Sequence, residues 1–270
     1  MKRSEIRDLF ISPYSASLHT GYLSRGVFSV RIQRIYYPDQ LSVDSTVTLD
    51  SRNYHYLLNV LRLREGHKII LFNGDGNNYG GRITRIQKKQ VEITIDSKEA
   101  GRTESSLFIE LGQGIFRSEK MDYAIQKAVE LGVNRIVPLI TERTSTKPKT
   151  QKLAHWQGVL ISGCEQSGRC CIPELMQAQS LSDWLSQKRE GLSLVCHPNA
   201  QNSLADFKTT SQRITLLIGP EGGLSDDEVQ RATQSGFQVL FLGPRILRTE
   251  TATVTALSLI QAYFGDLQRL

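Results

Sequence analysis

Cysteine is scarce in this chain of 270 residues: Cys164, Cys170, Cys171 and Cys196 are all there are, and no two form a Cys-x-x-Cys pair. That number and spacing exclude a zinc ribbon and a dense disulfide framework, and they fit a reducing compartment such as the cytoplasm. No apolar run approaches the roughly 18–20 residues that a membrane-spanning helix needs, so no membrane is expected as a partner. Neither sign of charge dominates, since 33 Lys and Arg face 27 Asp and Glu for a formal net charge of +6. That excess is compatible with a polyanionic partner, but many ordinary enzymes carry it. What the chain does have is 39% hydrophobic residues, enough for one large or two modest packed domains. Disordered, collagen-like and coiled-coil classes are thereby excluded.

Residues 1–30 contain Ser and Arg, show little hydrophobic period and lack the apolar stretch of a secretory signal. Glu5 and Asp8 count against a transit peptide, so residues 1–29 are expected to be an extension. From Val30 onward strand-like runs follow one another at 31–37, 46–50, 67–73, 80–87 and 90–96, with a turn at Asn73-Gly74-Asp75-Gly76. The segment 53–66 interrupts them with Leu57, Leu58 and Leu61 at helical spacing and Gly66 past the end. Short strands around one helix predict a small β-barrel domain over residues 30–100. The polar stretch 97–106 reads as a linker.

Past residue 107 strands and helices alternate. Residues 107–114, 135–140, 193–198, 214–220 and 237–243 read as strands, several of them apolar throughout as in a buried parallel sheet. Apolar residues at 121, 124, 125, 128 and 129 stripe one face of a helix over 118–132, with Ser118 as its cap and Gly132 at its end. Leu153, Trp156, Leu160 and Cys164 stripe a second helix, and Ser225 to Glu228 form a capping box opening a third, which stops near Gly236. Residues 251–265 are an almost wholly apolar-and-small helix. Residues 107–270 are therefore expected to form an α/β domain with a mostly parallel sheet.

Three segments stand out chemically. Leu217-Ile218-Gly219-Pro220-Glu221-Gly222-Gly223-Leu224 ends a buried strand in a glycine-rich turn, where the backbone can approach a ligand without a Cβ clash. Ligands of open α/β sheets bind beyond the carboxyl ends of strands, which is where this turn falls. Alone it reads equally well as a tight connection. It is neither Gly-x-Gly-x-x-Gly nor a P-loop, which disfavours dinucleotides and nucleoside triphosphates. Leu242-Gly243-Pro244-Arg245-Ile246-Leu247-Arg248-Thr249-Glu250 follows the last strand and crowds charges beside the apolar helix, as a solvated loop would also do. The threonines at 249, 251, 253 and 255 have a simple role available in bonding back to the preceding turn. Glu165-Gln166-Ser167-Gly168-Arg169 is in composition an ordinary polar helix end. His55, His155 and His197 lie outside these motifs and read as structural or surface histidines.

Taken together with residues 117–133, the segments 165–169, 217–229 and 242–252 closely resemble the RsmE family of 16S ribosomal RNA uridine-N3 methyltransferases, in the SPOUT superfamily. The resemblance runs over roughly residues 30–270, in family order and spacing. It implies a PUA-like RNA-binding β-barrel at 30–100 and a SPOUT methyltransferase domain at 107–270. That domain is a mostly parallel sheet with helices on both faces and a deep trefoil knot, an exception to the rule that chains avoid threading. Family members begin at a Met where this chain has Val30. Because a GUG codon can start translation yet encodes valine internally, residues 1–29 read as a start-site artefact.

The resemblance also implies S-adenosylmethionine as methyl donor, with S-adenosylhomocysteine as product. Leu217, Ile218, Gly219, Pro220, Glu221, Gly222 and Gly223 would form one wall of its pocket, and Leu242, Gly243, Ile246 and Leu247 the other. Family members act as homodimers, and the 251–264 helix is expected to take part in that contact. The expected reaction moves a methyl group to N3 of a uridine, which must be unpaired or extruded because N3 lies on the Watson–Crick edge. Arg248 is expected to stabilise the charge developing on the base, and Glu250 or Glu165 to accept its proton. Arg169 is expected to hold phosphate or orient a carboxylate; no metal is expected. Arg31, Arg34, Arg62 and Arg64 are the candidate RNA contacts of the small domain, to 16S ribosomal RNA of the small ribosomal subunit. Two competing readings are a SPOUT ribose 2′-O-methyltransferase and a catalytically silent ribosome-binding protein. Cofactor binding separates the second from an enzyme, and mapping the methyl group separates base from ribose.

Overall fold

The computed structural model describes residues 32–144 and 150–267; the extension at 1–29 and the candidate Arg31 lie outside them. The chain divides between Arg102 and Thr103 into two compact units. Among the described residues no helix is long and apolar enough to cross a membrane.

The first unit contains β1 (Gln33–Tyr36), β2 (Thr46–Leu49), the short α1 (Ser51–Tyr54), β3 (Lys68–Phe72), β4 (Asn77–Gln87) and β5 (Gln90–Ala100). They form one sheet in the order β1-β3-β4-β5-β2, parallel only between β1 and β3. Period-two alternation along β5 buries Val91, Ile93 and Ile95 against Ile69, Leu71 and Leu49. The Asn73–Gly76 turn forms as Asn73 Oδ1 accepts from the Asp75 N–H at 3.2 Å and Asp75 Oδ1 from that of Asn77 at 2.9 Å. Two sequence expectations shift here. Strand β5 continues to Ala100, so the first four residues of the expected linker are sheet, paired with β4. The helix expected over 53–66 stops early: α1 passes into a wide π-type turn, His55–Val60, that buries Leu57 and Leu58 and delivers Arg62 at φ +57°. Gly66, at φ +86°, turns the chain into β3 instead of ending a helix.

The second unit runs β6 (Phe108–Gly114), α2 (Ser118–Glu130), β7 (Arg135–Ile140), α3 (Thr150–Ser167), β8 (Glu174–Leu175), β9 (Gln179–Ser180), α4 (Leu181–Leu185), β10 (Leu192–Cys196), β11 (Arg213–Ile218), α5 (Asp226–Gln234), β12 (Gln238–Leu240) and α6 (Thr249–Phe264). Its sheet has the order β12-β10-β11-β6-β7-β8, with β9 also on β7, and every pairing is parallel. Val137, Leu139, Val195 and Leu217 pack with Leu181, Trp184 and Leu185 of α4 and Ala232 of α5. Ile136 and Leu216, one residue along, point to the other face and are equally buried, on the side where α2 packs with α3 and α6.

The caps follow their local chemistry. Ser225 and Glu228 satisfy one another's backbone N–H groups, as the capping-box spacing predicts. Helix α2, by contrast, places Arg117 at the cap position and makes Ser118 its first residue. The last strand, expected over 237–243, is only β12, and residues 241–248 leave the sheet. Because β10 lies between β11 and β12, the carboxyl ends of these three strands stand side by side, and the chain leaving each one must share the same space.

Candidate active site

The shared space is a cavity of about 280 Å³, a size suited to a small-molecule ligand. The β11 exit supplies Ile218, Gly219, Pro220, Glu221, Gly222 and Gly223 to its wall, and the β12 exit supplies Leu242, Gly243, Ile246 and Leu247. Leu217 sits one residue too early, wholly buried behind the cavity with Leu139 and Trp184. The turn can fold this tightly because it lacks side chains: a Cβ at Gly219 would stand 2.9 Å from the Leu224 nitrogen, and Gly223 has φ +72°. Bare backbone therefore faces the cavity beside apolar Ile218, Leu242 and Leu247, a combination suited to the edge and faces of a flat base.

The β10 exit adds Cys196, His197 and Pro198, and the residues after β7 add Arg143. His197 is thus a pocket histidine, whereas His155 pairs with Asp122 at 2.7 Å and His55 bonds Asn59 at 2.7 Å. Burial around its sulfur pushes the Cys196 thiol well up, so it is a neutral part of the wall. Sequence reading missed Arg143 and His197 because nothing in their spacing shows that β10 is inserted between β11 and β12.

At the rim, α2 meets the glycine turn and the start of α6. Lys120 Nζ lies 3.3 Å from Glu221 Oε1 and 3.6 Å from Glu250 Oε1, and Arg117 Nε lies 3.7 Å from Glu221 Oε2. The other Glu250 oxygen, Oε2, is buried and has no hydrogen-bond partner among the described residues. Thr249 and Ala252 line the cavity on either side of Glu250 in sequence, and Arg248, at the cap position of α6, is exposed between Leu247 and Thr249. One expected threonine back-bond is present: Thr253 donates to the Thr249 carbonyl at 2.9 Å and is also 2.8 Å from Gln113 Oε1.

The 165–169 segment lies elsewhere. Arg169 is buried, donating from Nε and Nη2 to Glu104 Oε2 at 3.0 and 2.7 Å and from Nη1 to the carbonyls of Val129 and Val133 at 3.0 and 2.7 Å. Its described partners are thus a carboxylate and two carbonyls of its own unit, and it does not line the cavity. Glu165, in the last turn of α3, does not line the cavity. Glu104, Cys170 and Cys171 bring ligand atoms within 4.8 Å of one another. Arg169 already holds that carboxylate, and burial together with the Glu104 charge pushes the Cys171 thiol up to about 11.

In the first unit Arg34 is also committed, bonding Asn78 Oδ1 at 2.8 Å and stacking 5.0 Å from the Phe72 ring centroid while only 9% exposed. That corrects its expected place on an RNA-facing surface. Arg62 and Arg64 are exposed.

Comparison with known proteins agrees with this geometry. Residues 103–261 match the family model of the RNA methyltransferase domain, and residues 49–96 that of the RNA methyltransferase PUA domain. Ribosomal RNA small subunit methyltransferase E of Buchnera aphidicola (subsp. Schizaphis graminum) is 38% identical over 242 residues, covering 88% of this chain and 98% of the relative. Ribosomal RNA small subunit methyltransferase E from Neisseria gonorrhoeae, solved bound to S-adenosyl methionine, superposes with a TM-score of 0.83 at 39% identity, covering 88% of this chain and all of its own. A methyltransferase from Legionella pneumophila, solved in complex with the bound cofactor SAM, gives 0.84 at 41% identity with the same coverage.

Proposed function

Because the chain belongs to the ribosomal RNA small subunit methyltransferase E family, we propose that it methylates N3 of a uridine in 16S ribosomal RNA. The observation that carries this reading is the convergence of two bare-backbone turns, 218–223 and 242–247, on one cavity beside an exposed arginine and a carboxylate with an unsatisfied buried oxygen. S-adenosylmethionine, when bound, supplies a methyl group activated by its sulfonium. The glycine turns offer backbone N–H and C=O groups to the adenine edge, and Ile218, Leu242 and Leu247 offer apolar contact to its faces.

The acceptor nitrogen carries a proton and is a poor nucleophile until that proton leaves. Glu250 does not itself line the cavity, but it lies in sequence between the lining residues Thr249 and Ala252. Its Oε2 has no partner among the described residues, so it is the acceptor for that proton once the docked base comes within reach. Lys120 holds the other Glu250 oxygen and keeps the carboxylate in one orientation. Arg248 stabilises the negative charge that then spreads to the uracil oxygens. Arg62, which the π-type turn displays, and Arg64 bring phosphate contacts.

The catalytic assembly is a homodimer acting in the cytoplasm. Ala256, Leu257 and Ile260 of α6 are consumed by the chain's own core, and among the described residues of the second unit Ile246, Tyr263, Leu267 and Tyr123 are the large apolar side chains exposed to a second copy. Light scattering of the purified protein checks the dimer. Nucleoside mass spectrometry of 16S RNA treated with the enzyme tests the reaction. N3-methyluridine supports the reading, and a 2′-O-methylated nucleoside or no product contradicts it.

A further inference from the structure

We propose that Arg143 receives the carboxylate of the cofactor's methionyl group, an inference that rests on the S-adenosylmethionine reading above. Arg143 follows β7 and is held from two sides. The preceding backbone N–H, of Glu142, donates to Glu228 Oε1 at 2.9 Å, and Glu142 Oε1 takes Arg231 Nη2 at 2.7 Å, so this short stretch is fixed to α5. From there the side chain reaches the glycine turn, where Nη1 donates to the Gly222 carbonyl at 2.6 Å. A Cβ at Gly222 would lie 3.3 Å from Arg143 Cβ and Cδ, so the aliphatic stem lies along the glycine backbone.

This anchored guanidinium is exposed at the cavity and carries five N–H donors, of which only those on Nη1 have described partners. Among the described residues it forms no ion pair. Glu221, the acidic residue of the cavity wall, is already matched to Lys120 and Arg117. Arg143 is therefore a positioned cation at a cavity wall with no counterion of its own. The cofactor carries two cationic centres, the sulfonium and the ammonium, and one carboxylate. A fixed positive charge repels the first two and attracts the third, so it determines which end of the ligand lies against it. A planar guanidinium also matches a carboxylate in shape. Arg245 lines the cavity too, but no described contact fixes it, so holding it in place would lose more conformational freedom.

The test is calorimetry on the full chain with two probes, S-adenosylhomocysteine and its decarboxylated analogue, which keeps the amine. Wild type is compared with Arg143→Ala and Arg143→Lys, each checked for folding by its melting temperature. The expected result is about a tenfold loss of S-adenosylhomocysteine affinity in Arg143→Ala, a smaller loss in Arg143→Lys, and affinity for the analogue unchanged within about twofold. If Arg143→Ala does not fold, the Arg143→Lys comparison carries the test alone. Equal losses for both probes would overturn the proposal, because Arg143 would then only clamp the Gly222 turn. Unchanged affinity for both with a raised KM for RNA would overturn it in favour of a phosphate contact. A wild-type protein that binds neither probe would instead sink the cofactor reading on which the proposal stands.

Discussion

Lys120 Nζ stands 3.6 Å from Glu250 Oε1, so α2 and the first turn of α6 are joined by an ion pair at the rim of the cavity. Glu250 is mostly buried there, its side chain 15% exposed, and its second oxygen faces no donor. Replacing Glu250 by Gln keeps the shape but removes the proton acceptor. Methylation is expected to fall by about 10²–10⁴-fold while calorimetric affinity for S-adenosylhomocysteine stays within about twofold. An equal loss of both would mean that Glu250 supports the pocket and not the proton transfer.

Arg248 and Arg169 are both arginines of family motifs, and their surroundings predict opposite outcomes. Arg248→Ala removes an exposed side chain and is expected to leave the melting temperature nearly unchanged, with the methylation rate down about 10²–10³-fold. Arg169→Ala strands the partly buried Glu104 and two backbone carbonyls, which is expected to cost about 3–5 kcal/mol of stability. Denaturant titration and a rate normalised to folded protein separate the two effects.

The glycine turn gives a third test. Gly219→Ala would push a methyl group to within 2.9 Å of the Leu224 nitrogen and shift the turn that carries Glu221 and Gly222. Cofactor affinity is expected to fall at least tenfold, whereas the first unit's RNA affinity is expected to be unaffected. Filter binding with and without cofactor reads both.

A fourth prediction concerns pH and the first unit. Burial raises the Asp75 pKa, but hydrogen bonds from Tyr79 and Asn77 and the charge of Lys98 together outweigh it and leave Asp75 below its ordinary value. The same hydrogen bond from its hydroxyl to Asp75, with burial, pushes Tyr79 above its ordinary value. Asp75 therefore stabilises the fold above the ordinary carboxylate range and loses that contribution as pH falls through its lowered folded value. Tyr79 stabilises below its ordinary value and loses that contribution as pH rises through its raised one. The stability difference between wild type and Asp75→Asn is expected to shrink at both ends, as measured by urea unfolding from acid to alkaline pH.

Much of this molecule was legible in its sequence, because the apolar positions of α2 follow the helix period, β7 is a short unbroken apolar run of the buried parallel type, and the Ser225 box marks the start of α5. Where tertiary contacts override period, the sequence misled. The 53–66 segment looks helical, yet its chain widens after Tyr54 into a π-type turn that buries Leu57 and Leu58 and ends at Val60. The 237–243 run looks like a full strand, yet its last residues are diverted to make a cavity wall. Arg34 and Arg169 read as exposed charges because spacing does not show that Phe72 and Glu104 cover them. Arg143 and His197 reach the site only through the strand order, which no local pattern encodes.

The most direct measurement is a crystal structure of the full chain grown with S-adenosylhomocysteine. The adenosyl group is expected between residues 218–223 and 242–247, its sulfur towards the rim formed by Arg248 and Glu250. Density for the ligand at any other place, or these two turns closed on one another with no ligand between them, would contradict the account.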